Sequence, residues 1–405
     1  MLLNIAKEME QLKSVDEDVT TELAMLYRTI ADLTMMVRNQ DGGGAQELSA
    51  DMKAETSPNR LKFEIIDTDT PRKVAPYDSL LTSIDASKFM VRGPMYTVDG
   101  KKVPSGPSVY EFLGWNGFKV KSKFYHASRF ITAPLPPKIR EDLLAKKKVM
   151  SEEEFEELKS KTLKHLTSYV NGLPRYVVVN LQTPDYDPKV FGGPWDGQGF
   201  GVVVFFSLTD AAVRQLEREE SKKDEDDKEE EEEEKKEEEK EQESEENPIH
   251  PHAVKLLQRF MSGDLSTASD RSTLLGRSKC FPVCMNFEDI ANMNRFVVKS
   301  LKRYNGKPLL TAPQHIFYRG NGYMELNMDL HRYSYVQRSL SRAARSIYNK
   351  AVLGVAFSVE GRDFKELPEQ MYACVSLNRL NFDQLLPIED FYDVPEDRLP
   401  GHARW

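Results

Sequence analysis

The sequence predicts an α+β fold, a largely antiparallel curved sheet packed with helices and preceded by an N-terminal heptad helix. Three observations carry this expectation. Runs of β-branched and aromatic residues are separated by glycine-containing hairpin signals, helical segments with polar caps lie between them, and the first 40 residues repeat their apolar positions every three and four residues.

In the N-terminal segment Leu2, Met9, Asp16, Leu23, Ile30 and Val37 fall at one heptad position and Ile5, Leu12, Val19, Leu26 and Leu33 at the other. In its second half Ile30 and Val37 stand against Leu26 and Leu33, which favours two parallel strands, with Asp16 fixing register at a cost in stability. Leu23, Leu26, Ile30, Leu33 and Val37 are therefore the expected homodimer contacts. Met25, Ala31 and Met36 widen the apolar stripe, so docking of the helix on its own domain is the competing reading. Gly42 to Gly44 end the helix and residues 41–59 read as a linker, leaving residues 60–395 as one domain.

Within that domain Phe89 to Val98 and Lys101 to Val103 flank Asp99-Gly100, the signal for a two-residue hairpin turn. Ser151 and Glu154 form a capping box that opens a helix through Leu158, Leu163, Leu166 and Tyr169, stopped by Asn171-Gly172 and Pro174. Arg175 to Leu181 and Phe200 to Leu208 read as strands buried on both faces. Val254, Leu257 and Phe260 mark a short helix closed by Gly263. Gln314 to Tyr318 and Tyr323 to His331 straddle Arg319-Gly320-Asn321-Gly322 as a second hairpin. In its second arm Met324, Leu326, Met328 and Leu330 alternate with Glu325, Asn327, Asp329 and His331, which predicts one buried and one solvated face. A helix from about Ser334 to Lys350, strands at Val352 to Val359 and Ala373 to Leu377, and a short helix near Leu367 complete the domain.

Charge and cysteine usage restrict the function classes. The chain has 405 residues, 56 basic and 65 acidic, for a net charge of −9. Residues 217–246 hold 20 acidic and 7 basic side chains, so the remainder, with 49 basic and 45 acidic, is close to neutral. That tract lacks the aromatic and β-branched residues that would let it pack, and it reads as an acidic low-complexity insertion. No apolar run approaches the roughly 20 residues that span a bilayer, and the N-terminus does not read as a secretory signal. Three cysteines, Cys280, Cys284 and Cys374, do not make a disulfide framework, which points to a reducing, cytoplasmic location. Nucleic acid is not an expected partner, because no domain-wide basic patch is present.

Several stretches together resemble a known family. Phe89 to Tyr96, Asp99 to Pro104 and Leu113 to Lys119 resemble the start of the C-terminal domain of the plant "enhanced disease resistance 2" proteins. Tyr176 to Pro184, Tyr318 to Leu330 and Glu366 to Gln370 resemble later parts of it, in order, over roughly Leu80 to Leu386. The resemblance singles out Arg92, Gly93, Tyr96, Pro104, Tyr318, Arg319, Gly320, Glu325 and Asp329 as family-motif residues. It implies a domain of unknown function. The pleckstrin-homology and lipid-transfer domains that precede it in the plant proteins are not found in this sequence, so their lipid association transfers only weakly.

Catalytic signatures are not found: no nucleophile elbow, zinc helix, P-loop or kinase pattern stands in the sequence. The glycines between Phe191 and Gly201 precede a strand, whereas phosphate cradles follow one. Cys280, Cys284, His250 and His252 have zinc-ligand chemistry but not zinc-ligand spacing, so no metal or cofactor is expected. Arg338, Arg342 and Arg345 fall at i, i+4 and i+7 on one helix and form a basic stripe suited to anionic lipid head groups or an acidic partner, at about 1 kcal/mol per arginine near an anionic surface. The alternative for the stripe is a solvated face with local ion pairs. The expected function is a non-enzymatic binding or adaptor protein, peripheral to membranes and dimerised by its N-terminal helix. A lipid-binding or lipid-carrying domain with an internal apolar cavity is the second reading. An enzyme using Glu325, Asp329 and His331 is the third.

Overall fold

Valines at 177–179 and 202–204, followed by Phe205 and Phe206, leave no position that favours water on either side of the backbone, and both runs become central strands. The computed structural model describes residues 61–63, 80–189, 195–226, 249–267, 270, 272–290, 298–299, 302–303, 305–310 and 315–395. The heptad positions, Leu23, Leu26, Ile30, Leu33 and Val37 among them, and the linker lie outside the described residues.

In chain order the elements are β1 (Leu81–Thr82), β2 (Met90–Arg92), α1 (Tyr96–Asp99), β3 (Lys102–Pro104), β4 (Tyr110–Val120), α2 (Pro137–Lys147), α3 (Glu152–Leu166), β5 (Tyr169–Val170) and β6 (Leu173–Pro174). They continue with β7 (Tyr176–Pro184), β8 (Gly199–Leu208), α4 (Asp210–Asp226), α5 (Pro251–Met261), β9 (Ser278–Cys284), α6 (Phe287–Ile290), β10 (Leu309–Leu310), β11 (His315–Gly320) and β12 (Tyr323–Asp329). Last come α7 (Tyr335–Tyr348), β13 (Val352–Val359), β14 (Met371–Asn378) and β15 (Leu386–Pro387).

The fold is α+β and mostly antiparallel, with the strands divided between two main sheets rather than gathered in one. The six-stranded sheet runs β11-β12-β7-β8-β4-β15 and the five-stranded sheet β1-β14-β13-β9-β10. Two pairs, β12 with β7 and β15 with β4, are parallel. On the face of the larger sheet that carries Val177, Val179, Val202, Val204, Phe206, Met324 and Leu326, the core is completed by α5 and by Phe357, Tyr372 and Val375 of the smaller sheet. On the opposite face Tyr176, Val178, Val203, Phe205 and Tyr323 meet Phe124, Phe130 and Ile131 from the segment after β4, together with Leu143 of α2 and Phe155 of α3. The central strands are thus covered on both sides.

Local details depart from the sequence expectation in four places. The β2–β3 hairpin exists, but Asp99-Gly100 ends the one-turn helix α1, with Gly100 as its left-handed cap at φ 65°, in place of a two-residue turn. The Ser151–Glu154 capping box opens α3 as expected, yet the helix stops at Leu166 and Asn171-Gly172 turns the small β5–β6 hairpin. Pro137–Lys147 adds a helix that the sequence pattern did not single out, since Leu143 is its sole buried residue. The acidic tract begins inside α4, whose first turns are anchored by buried Ala212, Gln215 and Leu216 before the chain becomes almost wholly charged.

Candidate functional site

Glu325, Asn327 and Asp329 project from β12 on the face that sequence alternation assigns to water, and the structure corrects that assignment. All three, and His331 in the turn that follows, are fully buried. The reason is the stretch Lys123 to Phe130, which leaves β4 and crosses this face of the sheet. Glu325 accepts hydrogen bonds from the backbone N–H groups of Ala127 and Ser128, each at 2.8 Å, and from the Ser128 hydroxyl. Those N–H groups open a single 3-10 turn, Ala127–Arg129, so the carboxylate satisfies donors that would otherwise be orphaned. Burial pushes the Glu325 carboxyl up from its ordinary range, while the bonds from Ser128, Asn327 and Ala127 pull the other way.

Two residues along β12, Asp329 Oδ2 accepts from Lys123 Nζ at 2.8 Å and from the Tyr125 hydroxyl at 3.1 Å. Burial pulls the Lys123 ammonium down, opposed by Asp329, and burial raises the Tyr125 phenol. Amides link the two carboxylates. Asn327 Nδ2 donates to Glu325 at 2.8 Å, Asn180 Nδ2 donates to Asn327 at 2.6 Å, and Gln182 donates to Asn180. The parallel register of β12 with β7 sets Asn327 beside Asn180 and Asp329 beside Gln182, which is what lets the side chains connect. Gly201 on β8 makes room: a Cβ there would lie 2.8 Å from the Phe124 ring. His126, in the left-handed region at φ 53°, stacks on Tyr318 with ring centroids 4.3 Å apart and bonds the Tyr323 hydroxyl at 2.6 Å.

A second buried cluster joins the β2–β3 hairpin to the chain before β14. Glu369 pairs with Lys279 at 2.6 Å, both almost wholly buried, and accepts from the Gly361 N–H at 3.0 Å and the Arg92 N–H at 3.3 Å. Arg92 reaches the Gly361 carbonyl at 2.7 Å and Glu360 at 2.8 Å, with its guanidinium over the Tyr96 ring. Glu366 holds Arg259 at 3.1 Å and Arg277 at 3.0 Å.

The family-motif residues therefore gather into these clusters and the turns beside them. Tyr318, Glu325 and Asp329 meet on the β12 face, and Arg92, lying over the Tyr96 ring, meets Glu360 and Glu369. Gly93 donates to the Lys101 carbonyl across the hairpin that Pro104 ends. Arg319 donates to the Gly263 carbonyl at 2.8 Å, and the Gly320 carbonyl accepts from Tyr169 at 2.9 Å. Sequence reasoning missed Lys123, Tyr125, His126, Ser128, Asn180, Gln182 and Lys279. A lysine just before Phe124 and Tyr125 has no periodic signature, and its burial depends on a strand some 200 positions away.

The basic stripe of α7 is a second correction, since it faces its own chain instead of a free anionic surface. Arg342 reaches Asp185 at 2.5 Å and Asp187 at 3.4 Å, and Arg345 pairs with Asp185 and Asp383. Arg338 is 3% exposed, donates to the Lys189 carbonyl at 3.3 Å and lies over the Trp195 ring. The loop after β7 supplies Asp185 and Asp187 and the turn before β15 supplies Asp383, and nothing in the helix itself announces them.

Comparison with known proteins decides the family. The profile described as Protein ENHANCED DISEASE RESISTANCE 2, C-terminal, matches residues 82–381. The chain belongs to this family. No curated protein and no solved structure matches it. Both buried clusters of this disease-resistance C-terminal domain lie inside the matched segment, as does the acidic tract. Among its described residues no helix is long and apolar enough to cross a membrane, and no group of three or more His, Cys, Asp or Glu side chains is placed to hold a metal ion.

Proposed function

We propose that this chain is a non-catalytic binding module that docks on anionic membrane surfaces and self-associates through its N-terminal heptads. One observation carries the reading: two neighbouring surface loops present apolar side chains among cations. On the β2–β3 hairpin Met95 is 47% and Val98 76% exposed, on the same turn as exposed Asp99, Lys101 and Lys102. On the loop before β14 Phe364 is 58% exposed, beside exposed Lys365. Arg92 ties the bases of the two loops together through Gly361 and Glu360.

A specific protein partner calls for a complementary patch of about 800 Å² on each side, more than the exposed Met95, Val98 and Phe364 side chains supply. A bilayer accepts tips singly, each worth about 1 kcal/mol on partial insertion, and its anionic head groups attract the flanking lysines. Such contacts are weak alone, so two copies joined at the heptads gain from avidity. Asp329 and Lys123 are bonded to each other and Glu325 to backbone N–H groups, which suits a scaffold more than a reaction centre.

Co-sedimentation with phosphatidylserine vesicles tests the reading. Wild-type protein is expected to pellet with anionic but not neutral vesicles, less so at high salt, and Met95→Asp/Val98→Asp to stay in the supernatant with an unchanged circular dichroism spectrum. Equal behaviour of the two proteins overturns it. The carrier reading would need the cleft lined by Val109, Leu256, Leu257, Val359, Gln370 and Tyr372 to open, since at about 10 Å³ it has room for one water molecule. Lipid retained in native mass spectrometry would favour a carrier over a docking module.

A further inference from the structure

Among the α7 arginines Arg338 differs from its neighbours. Arg342 and Arg345 each hold carboxylates, whereas no described carboxylate lies within salt-bridge distance of Arg338. Its Nε and Nη1 are buried without a hydrogen-bond partner, while the guanidinium reaches the Lys189 carbonyl through Nη2 and also bonds the Tyr186 hydroxyl. A buried guanidinium with two unmet donors is costly, because neither the donors nor the charge is compensated.

A second orphan lies close by. His331 is fully buried, its Nδ1 is 2.9 Å from the Tyr186 hydroxyl, and its Nε2 has no partner. Tyr186 links the three groups, since its ring lies 5.5 Å from that of His331 between centroids and its hydroxyl also bonds Arg338, with the Asp329 and Asp196 carboxylates acting on the same hydroxyl. With Tyr186 donating to Nδ1, the neutral imidazole carries its proton on Nε2, and that nitrogen becomes a further donor. Over this group lies Trp195, its ring 4.9 Å from the guanidinium carbon and half exposed. The indole forms the outer wall between the buried donors and solvent.

We infer that Arg338, His331 and Trp195 form an anion site that takes a phosphate group, carried by a soluble molecule or by a lipid head group. Phosphate matches the chemistry because it offers several strong acceptor oxygens and formal negative charge where the protein supplies donors and an unpaired cation. Entry requires the Trp195 indole to turn aside, so binding changes the environment of that ring. The inference does not depend on the docking loops, which share no residue with this site.

The test titrates inorganic phosphate against chloride at equal ionic strength, reading Trp195 fluorescence and the unfolding midpoint of the full chain. Expected are a saturable fluorescence change and a phosphate-specific rise in midpoint, both lost in Arg338→Met. Trp195→Phe is expected to lose the fluorescence change and keep the rise. Arg338→Lys keeps charge without the guanidinium geometry and is expected to weaken the response by about tenfold to a hundredfold, which serves if Arg338→Met does not fold. Phosphatidic acid vesicles added to the same assay separate the sources: saturation by vesicles at phosphate-equivalent concentrations too low for the free ion assigns the lipid. No phosphate-specific response, or one equal in wild type and the Arg338 variants, overturns the inference.

Discussion

Asp329 and Lys123 show what a buried pair demands of its neighbours. The carboxylate and ammonium are 2.8 Å apart with side chains 0% and 3% exposed, so either one alone would be an uncompensated charge in a low-dielectric interior. Asp329→Ala is expected to cost about 3–5 kcal/mol in urea unfolding. Lys123→Met/Asp329→Asn removes both charges, keeps an amide oxygen to accept from the His331 N–H and an amide N–H to donate to the Tyr125 hydroxyl, and is expected to recover most of that loss. Additive losses would contradict the pairing. Three buried histidines make a second residue-scale prediction. His126, His315 and His331 are each lowered to about 3, burial being the leading cause. The unfolded chain protonates these rings near pH 6.5 while the folded chain does not, so stability falls as pH drops through that window. Each ring contributes at most about 1.4 kcal/mol per pH unit. Glu325, raised by burial, has the opposite sign and adds stability as pH falls toward its unfolded value. Three rings outweigh one carboxyl, so the urea midpoint at pH 5 is expected below that at pH 7, with a smaller gap in His315→Phe. Equal midpoints would contradict this account. None of these burials was legible in the sequence: alternation in β12 separates two faces correctly, but a polar face looks the same whether it meets water or other polar side chains.

Elements were more legible than their surroundings, because period and capping are local while partners are not. The Ser334 cap, which accepts from the Gln337 N–H, and the arginine spacing mark α7 in the sequence, but Asp185, which turns the stripe inward, sits at the far end of β7. The β2–β3 hairpin was readable from Asp99-Gly100, and its connection is a helical turn because the Asp99 and Gly100 N–H groups bond the Met95 and Tyr96 carbonyls. At the β11–β12 turn, Gly322 takes φ 70°, and an added Cβ would lie 2.5 Å from the Thr167 backbone. Gly322→Ala is therefore expected to destabilise by about 3 kcal/mol or more, from the left-handed strain and the collision together. A loss below about 1 kcal/mol would mean that the turn relaxes freely.

At the scale of the molecule, the α+β class followed from strands, hairpins and helices in one chain, whereas the division into two sheets did not. That division depends on pairings such as β1 with β14, whose partners Leu81 and Leu377 lie nearly the whole domain apart. The same long-range closure brings Arg92 to Glu360 and Glu369, and so holds the hairpin and the Phe364 loop side by side. Membrane docking through these loops is the central claim, and a single probe measures it. The three native cysteines are buried, so a cysteine at Val98→Cys or, as control, at the equally exposed Val149→Cys takes a polarity-sensitive fluorophore selectively. With phosphatidylserine vesicles the emission at position 98 is expected to shift to the blue while that at position 149 stays where it is. An unshifted signal at 98, or equal shifts at both positions, would contradict docking through the hairpin.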